Sequence, residues 1–363
     1  MRGHRSSFVS ILALVAVLLA GCEREPSESK PDPSQQLAHG YEIYGRMCAV
    51  CHGDNGEGYK ADGAPRLAQP EFLASAGDDF LRRAIRNGRA GTTMSAWGAE
   101  RGGPLSEADI DAVVSFMRIW QTEARVVMDD APPAGNAVIG GMVFKQHCEE
   151  CHGERGVGGP NLHIGDPEFM LSASNGFLRL AIHNGRPGTP MPAFEHLGKE
   201  RIEDVLALMR VWAMPHIAGA GQPVTPQPIV RPPPLPLGPV PLNPNGDPPT
   251  DFKAHPDATS VDVVKAALDR GARFAILDAR PPPAYTNEHI AGAVSVPFYD
   301  PTPYFDKLPK DAWLVCYCSC PHAESGRLAQ KLIENGFTKV TVLDEGLGVW
   351  KERQYPTHKG EEP

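Results

Sequence analysis

Two segments of the chain repeat a pair of cysteines followed by a histidine. Residues three and four apart share one face of a helical turn, so both thiols can bond the two vinyl groups of one porphyrin. The imidazole that follows can then lie under the iron. This spacing is the attachment signature of haem c and predicts two covalent haems. The motif residues are Cys48, Cys51 and His52 in the first copy and Cys148, Cys151 and His152 in the second.

Zinc sites and thiol redox pairs also use closely spaced cysteines. A structural zinc site would need two more Cys or His ligands at metal spacing in each copy. A thioredoxin-like redox pair would not need the histidine that follows. The duplicated motif with its histidine therefore favours haem over both.

Each predicted iron needs a second axial ligand from later in its own copy. Met94 and Met191 lie at matching positions, each in a loop that contains Gly and Thr. A thioether opposite an imidazole is the pairing of electron-transfer haems, and it raises the reduction potential. We therefore predict His/Met ligation at both irons. Such an iron has no open position, so it exchanges electrons and binds no substrate.

Other side chains compete for this ligand role. His163, His183 and His196 lie in the second copy, so a bis-histidine iron is the alternative there. The first copy offers no such histidine before its last helix. Met117 and Met209 also recur, but their helical spacing within apolar faces predicts core positions.

An internal repeat extends beyond the cysteine motifs. Four blocks recur in the same order, which indicates a duplicated domain. We predict the two domains at residues 37–125 and 137–214. The matching blocks are 48–53 with 148–153, 81–89 with 178–186, 91–94 with 188–191, and 116–120 with 208–212.

Both repeats resemble the class I cytochrome c family. That family has a helix, the attachment motif, a Pro-x-Leu loop, a methionine loop and a last helix. Residues 65–67 and 160–162 match the proline loop, and residues 106–120 and 201–212 match the last helix. The resemblance implies two all-α domains. It also implies that Pro65 and Pro160 orient the iron-binding histidines.

The first residues are typical of an export signal. Arg2 and Arg5 precede an apolar run over residues 8–20, which is too short to span a bilayer of roughly 30 Å. Residues 19–22, Leu-Ala-Gly-Cys, resemble the lipobox of bacterial lipoproteins. The resemblance implies a signal peptide over residues 1–21, lipid on Cys22 and a place on the periplasmic side of a membrane. An ordinary secretory signal cleaved nearby is the alternative.

The composition indicates which segments are linkers and argues against nucleic acid as a partner. The net charge is -9 and no Lys/Arg-rich run exists, which argues against nucleic-acid binding. Gly and Pro number 37 each, so part of the chain must be linker. Residues 22–36 are predicted to be a tether. Residues 215–250 are predicted to be a polyproline II linker, or else to pack on a domain surface.

The last segment, residues 251–358, has a different pattern. Short apolar runs at 274–277, 313–317 and 340–343 predict strands. Helical stretches at 261–269 and 325–335 lie between them. This alternation predicts an α/β domain with a mostly parallel sheet, so the fold class is two all-α domains followed by an α/β domain.

This segment resembles the rhodanese-like sulfurtransferases. The resemblance rests on Asp278 and Arg280, on Tyr285, and on the segment 289–293, His-Ile-Ala-Gly-Ala. In that family a strand delivers a nucleophilic cysteine to a loop before a helix, and the thiolate holds sulfane sulfur as a persulfide. That position falls on Cys318.

The loop departs from the family in two ways. Cys320 is a second cysteine and a rival nucleophile. Pro321, His322 and Glu324 replace the usual basic or Ser/Thr-rich loop, and the carboxylate would repel a thiosulfate dianion. Cys316, inside the strand, is predicted to be a buried small hydrophobe.

Three functions fit these features. The first is electron transfer by two haems with redox protein partners, coupled to sulfane-sulfur chemistry with a sulfur donor. The second is a plain electron carrier to a terminal oxidase, with the last domain as an inactive docking module. The third is a sulfurtransferase whose haems sense redox state.

Overall fold

Two helical units of one design precede an α/β unit. The computed structural model describes residues 32–58, 63–217, 240–319 and 322–363. The expected signal segment with Cys22, most of the expected linker, and Cys320 lie outside the described residues.

The helices of the first unit surround the first cysteine motif. Asp32 caps the first helix, because its carboxylate accepts a hydrogen bond from the backbone N–H of Ser34. Ser106 and Asp109 form a capping box at the start of the last helix. The helices are α1 (Pro33–Ile43), a π-turn (Tyr44–Cys48), α2 (Ala49–His52), α3 (Pro70–Ser75), α4 (Asp78–Asn87) and α5 (Glu107–Met117), with short 3₁₀ turns at Ala99–Arg101 and Arg118–Trp120.

The second unit repeats this order of helices. Asn136, Asp166 and Ser174 cap three of its helices with side-chain oxygens. The helices are α6 (Ala137–His147), α7 (Glu149–His152), α8 (Pro167–Ser172), α9 (Asn175–Asn184) and α10 (Gly198–Ile217), with 3₁₀ turns at Glu154–Gly156 and Glu195–Leu197.

A glycine lies where the first and last helices of each unit cross. A Cβ atom on Gly40 would lie 2.0 Å from the Ala112 carbonyl oxygen, and one on Gly140 would lie 2.0 Å from that of Asp204. Only glycine permits backbones to approach this closely. The two crossings, α1 with α5 and α6 with α10, therefore share this close approach, and they position the helix that leads into each cysteine motif.

The α/β unit is built on a parallel sheet. Its five strands lie in the order β1-β6-β5-β2-β4, and every neighbouring pair is parallel. Strands β3 and β7 form a separate antiparallel pair. The elements are β1 (Ala258–Thr259), α11 (Val261–Asp269), β2 (Phe274–Asp278), α12 (Pro282–Asn287), β3 (His289–Ile290), β4 (Ala293–Ser295), a 3₁₀ turn (Thr302–Lys307), β5 (Trp313–Tyr317), α13 (Ala323–Glu334), β6 (Val340–Leu343), α14 (Gly346–Glu352) and β7 (Thr357–His358).

The described end of the expected linker packs on the α/β unit. The Asn243 side-chain amide donates to the Gly271 carbonyl, and the Arg273 N–H donates to the Asp247 carbonyl. Val240 and Leu242 lie against the apolar core. At its other end, α10 continues through Ile217 into the expected linker. Of the two structures expected for the linker, packing on a domain surface is therefore the one found at residues 240–250.

Within the described part of the chain, no helix is long and apolar enough to cross a bilayer.

The α/β unit contacts the first helical unit. The Trp97 ring lies 5.6 Å from the Tyr299 ring and 6.5 Å from the Phe298 ring, centroid to centroid. This contact brings the C-terminal cysteine loop to the first cysteine motif.

Candidate functional sites

The first cysteine motif spans the end of a π-turn and the short helix that follows it. Cys48 ends the π-turn, and Ala49–His52 form α2. The Nδ1 atom of His52 donates to the Pro65 carbonyl at 3.0 Å, which leaves Nε2 as the nitrogen available for the predicted iron. Burial lowers the pKa of His52, so its neutral, metal-binding form is favoured. The Tyr44 hydroxyl donates to the Gly53 carbonyl at 2.8 Å and holds the end of this helix.

The second motif has the same arrangement with a different acceptor. The Nδ1 atom of His152 donates to the Leu162 carbonyl at 2.8 Å. The resemblance implied Pro160 for this role, and that implication is wrong. The loop here is two residues longer on the C-terminal side of its proline, so Leu162 takes the place of Pro65.

Backbone hydrogen bonds fix this alignment of the two loops. Ala68 N–H donates to Gly56 C=O in the first unit, and Gly165 N–H donates to Gly156 C=O in the second. The residue three positions before Ala68 is Pro65. The residue three positions before Gly165 is Leu162. The two sites therefore share a backbone carbonyl at this position, which accepts the hydrogen bond from the histidine, and do not share the proline ring.

The two methionine loops have matching hydrogen bonds. The Met94 carbonyl accepts from the Arg89 N–H at 3.0 Å, and the Met94 N–H donates to Thr92 Oγ1 at 3.2 Å. The Met191 carbonyl accepts from the Arg186 N–H at 3.0 Å, and its N–H donates to the equivalent threonine at 3.3 Å. Both methionines are partly buried. The axial role of Met94 and Met191 stays a prediction.

The three histidines that compete for the ligand role have other contacts in the structure. His183 is exposed and its Nδ1 lies 2.6 Å from Asn184 Oδ1. The Nε2 atom of His163 accepts from the Gly158 N–H at 3.1 Å. His196 is exposed beside the ring of His147.

The two recurring helical methionines lie in the core. Met117 is 3% exposed and Met209 is 2% exposed, which confirms their predicted core positions. They therefore do not compete with the loop methionines.

The donor set of both motifs fits haem c. Burial raises the pKa of Cys48 to about 12 and that of Cys148 to about 11. Zinc binds the thiolate, so protonated thiols among apolar residues suit thioether bonds better than a zinc site. Among the residues that the structure describes, no cluster of three or more His, Cys, Asp or Glu side chains could hold a metal ion.

The C-terminal cysteine loop begins where β5 ends. Cys318 is 0% exposed, its Sγ lies 3.3 Å from Ser325 Oγ in α13, and its carbonyl accepts from the Leu347 N–H at 2.9 Å. Cys316 is 0% exposed within β5, and burial raises the pKa of its thiol, which confirms it as a core residue.

A buried ion pair supports this loop from β2. Arg280 Nε donates to Asp278 Oδ1 at 2.9 Å, and its Nη2 donates to Asp278 Oδ2 at 2.5 Å. The Tyr317 hydroxyl donates to the same carboxylate at 2.5 Å, and Arg280 Nη1 donates to Ser319 Oγ at 3.3 Å. Burial lowers the pKa of Arg280, but the Asp278 carboxylate raises it by more. The pair therefore acts as a structural support for the loop.

The departures from the rhodanese-like pattern lie at the start of α13. His322 has a left-handed backbone, and its Nε2 lies 2.9 Å from Asp344 Oδ1. Glu324 is buried in the first turn of α13. A buried carboxylate next to the cysteine loop opposes binding of a small dianion there.

The cysteine loop lies against the first haem-attachment motif. Cys318 and Ala323 form a small buried apolar cluster, and Val50 and Cys51 pack against it. Helices α2 and α13 are in contact at this point. No signal in the sequence pattern predicts this contact, because it joins residues more than 250 positions apart.

Family models match all three units. Residues 35–117 and 135–209 each match the model described as "Cytochrome C oxidase, cbb3-type, subunit III". Residues 260–353 match the rhodanese-like domain model.

Curated relatives match part of the chain. A cbb3-type cytochrome c oxidase subunit FixP from Bradyrhizobium sp. is 28% identical, over 50% of this chain and 61% of the relative. FixP from Azorhizobium caulinodans is 29% identical, over 60% of this chain and 72% of the relative. A thiosulfate dehydrogenase from Stutzerimonas stutzeri is 33% identical, over 25% of this chain and 30% of the relative. The chain thus spans about three fifths of the length of the first relative.

Among solved structures, the rhodanese-like domain of an Anabaena protein is 30% identical. It covers 28% of this chain and 78% of that chain, with a TM-score of 0.27.

Proposed function

Because this chain carries two electron-transferring cytochrome c domains with two haem c groups, and a rhodanese-like domain, we propose that it couples electron transfer to sulfane-sulfur transfer. Each haem supplies one-electron exchange. His52 and Met94 would hold the first iron, and His152 and Met191 would hold the second. Cys318 carries sulfur as a persulfide, and Cys320 resolves or protects it.

One observation carries this proposal. Val50 and Cys51 of the first attachment motif pack against the cluster of Cys318 and Ala323. The sulfur-carrying loop thus lies on the haem-binding turn itself. A docking module that only recruits a partner would not need its nucleophile at this place.

The sulfur step is a transfer without net oxidation. The Cys318 thiolate attacks the outer sulfur of a persulfide donor: Cys318–S⁻ + R–S–SH → Cys318–S–SH + R–S⁻. Glu324 is buried near the loop, so a dianion such as thiosulfate is disfavoured. The donor class is therefore a protein persulfide, or polysulfide in its singly protonated form.

Mass spectrometry of the reduced holoprotein after exposure to polysulfide tests the proposal. We expect a gain of one sulfur on the peptide that contains Cys318. Cys318→Ser should abolish the gain and Cys320→Ser should prolong it. Cys316→Ala, which removes a thiol from the core of the same strand, should leave it unchanged. No gain on Cys318 with polysulfide would contradict the proposal.

A second function is favoured by the relatives. FixP is named as a subunit of a cbb3-type cytochrome c oxidase. Under this function the two haems pass electrons to a terminal oxidase, and the rhodanese-like domain docks a partner. Ferrous holoprotein mixed with such an oxidase would then be reoxidised at the same rate in wild type and in Cys318→Ser.

The proposed location is the periplasmic side of a membrane, with lipid on Cys22. The tether expected over residues 22–36 ends earlier than expected, because α1 begins at Pro33. Cleavage before Cys22 and acylation of its sulfur would appear in the mass of the mature N-terminal peptide. Cys22→Ser should release the protein from the membrane fraction.

A further inference from the structure

The first cytochrome domain covers the cysteine loop of the rhodanese-like domain. Cys318 is 0% exposed and Ala323 is 9% exposed. Val50 and Cys51, on the turn that attaches the first haem, pack against both. Because the two domains are packed together at the nucleophile, a protein-sized persulfide donor has no room to approach it. A small donor is therefore favoured.

A cavity of about 370 Å³ lies between the same two domains. Arg46 and Met47, just before the first cysteine motif, line it from the cytochrome side. Tyr299 and Asp300 line it from the rhodanese-like side. Cavities of this size are typical of sites for small molecules, and a chain of a few sulfur atoms fits in such a space.

Three cations lie together at this interface and are called here the cation cluster: Arg46, Arg327 and Lys331. Arg327 and Lys331 are one turn apart on α13, on the face that also carries Ala323. Burial lowers the pKa of Lys331, and the nearby charges of Arg327 and Arg46 lower it further. The three charges are therefore close enough to act on one another.

The cation cluster carries more positive charge than the carboxylates around it offset. In the part of the chain that the structure describes, the guanidinium groups of Arg46 and Arg327 form no hydrogen bond or ion pair. Lys331 donates to the backbone carbonyls of Phe298 and Tyr299. Two carboxylates, Asp300 and Glu334, raise the pKa of Lys331 and so offset part of the charge. Three cations against two carboxylates leave room for one anion of single charge.

Tyr299 connects the cavity with the cysteine loop. It is buried in the cavity wall, and burial raises the pKa of its hydroxyl. The charges of Glu324 and Arg46 also act on this hydroxyl, in opposite directions. The cavity and the first turn of α13 are therefore neighbours. The buried carboxylate of Glu324 at this end favours a singly charged anion over a dianion.

We propose that the interface between the first cytochrome domain and the rhodanese-like domain is an anion site, in which Arg46, Arg327 and Lys331 draw a small, singly charged inorganic polysulfide to Cys318. This inference rests on the proposed function of Cys318 as a persulfide carrier, and it names the donor. The step is Cys318–S⁻ + HS–S⁻ → Cys318–S–S⁻ + HS⁻. The S–S bond of the donor breaks, its outer sulfur bonds to Cys318, and the proton moves to the leaving sulfur. No net oxidation occurs.

The initial rate at which polysulfide adds one sulfur to Cys318 in the full-length holoprotein, followed by mass spectrometry, tests this role. We expect Arg46→Gln and Arg327→Gln each to lower the rate, and the double variant to lower it roughly tenfold, because a cationic cleft raises the local concentration of anions. The lysine variants should keep most of the rate. Added salt should slow the wild type more than the double variant.

Arg353→Gln is the matched control. It makes the same change of charge at a residue paired with Asp262, next to α14, which packs on the other face of the sheet from α13. We expect this variant to load Cys318 at the wild-type rate.

Four results would overturn the anion site. Loading at the wild-type rate in both glutamine variants would do so while leaving the proposed function intact. Equal loss of rate in the lysine and glutamine variants would exclude an effect of charge. Faster loading by a persulfidated protein than by polysulfide at equal concentration would exclude a small donor. A wild-type Cys318 that gains no sulfur at any polysulfide concentration would overturn the proposed function together with the site.

Discussion

The Leu162 carbonyl takes the place in the second cytochrome domain that the Pro65 carbonyl holds in the first. It accepts from His152 Nδ1 at 2.8 Å, and Pro65 accepts from His52 Nδ1 at 3.0 Å. The hydrogen bond from the histidine of the cysteine motif is therefore kept, while the residue that supplies the acceptor carbonyl changes.

Pro160→Ala should consequently leave the second haem unchanged, because Leu162 rather than Pro160 supplies the acceptor. Pro65→Ala keeps the acceptor carbonyl but removes the ring that restricts the backbone around it. It should therefore shift the midpoint potential of the first haem or broaden its titration wave. Potentiometry of both variants checks this. A shift of the second haem in Pro160→Ala as large as that of the first in Pro65→Ala would contradict the alignment.

A pyridine haemochrome assay on protein matured with haem-attachment machinery should give two haems per chain. The double variant Cys148→Ser, Cys151→Ser should give one, because it removes both thiols that attach the second haem. The haem that remains should resist extraction by acid acetone. One haem in the wild type would show that one motif is not loaded.

Met94→Ala and Met191→Ala should each remove about half of the weak near-infrared sulfur-to-iron band of the ferric protein. The expected cause is loss of the axial thioether at one iron. Met117→Leu, at a core position, is the matched control and should keep the whole band. A band that Met191→Ala does not change would give the second iron a histidine ligand instead.

The sequence predicts elements whose signals are local. The strands expected at 274–277, 313–317 and 340–343 are present as β2, β5 and β6, because each is a short apolar run. The last helices of both repeats and the fold class, two cytochrome c domains followed by a rhodanese-like domain, are also confirmed.

Relationships between distant segments could not be predicted. The close approach at Gly40 and Gly140 is visible only once the helices cross, although a glycine recurring at the same place in both repeats was a signal. The contact of Cys51 with the Cys318 cluster depends on how two domains pack. The prediction for Pro160 was wrong because the Pro-x-Leu tripeptide of the second repeat begins two residues before Leu162, whose carbonyl accepts the hydrogen bond from His152.

Asp278→Asn should lower the free energy of unfolding of the rhodanese-like domain by about 3–5 kcal/mol, because it leaves the buried Arg280 charge without its partner. Chemical denaturation followed by tryptophan fluorescence measures this change. Asp311→Asn removes an exposed partner of Arg273 and should have a far smaller effect. Equal effects of the two variants would contradict the supporting role of the buried pair.

Coupling between the sulfur site and the first haem is the central claim. It is tested most directly in Met191→His, whose second haem should titrate at lower potential and so be resolved from the first. Potentiometry is run before and after polysulfide loads Cys318, with the load checked by mass. An anionic persulfide beside the attachment motif should stabilise the ferric state.

We therefore predict that polysulfide lowers the midpoint potential of the first haem and leaves that of the second haem unchanged. In the double variant Met191→His, Cys318→Ser, polysulfide should change neither potential. A loaded Cys318 that leaves both waves in place, or an equal shift in the serine variant, would contradict the account.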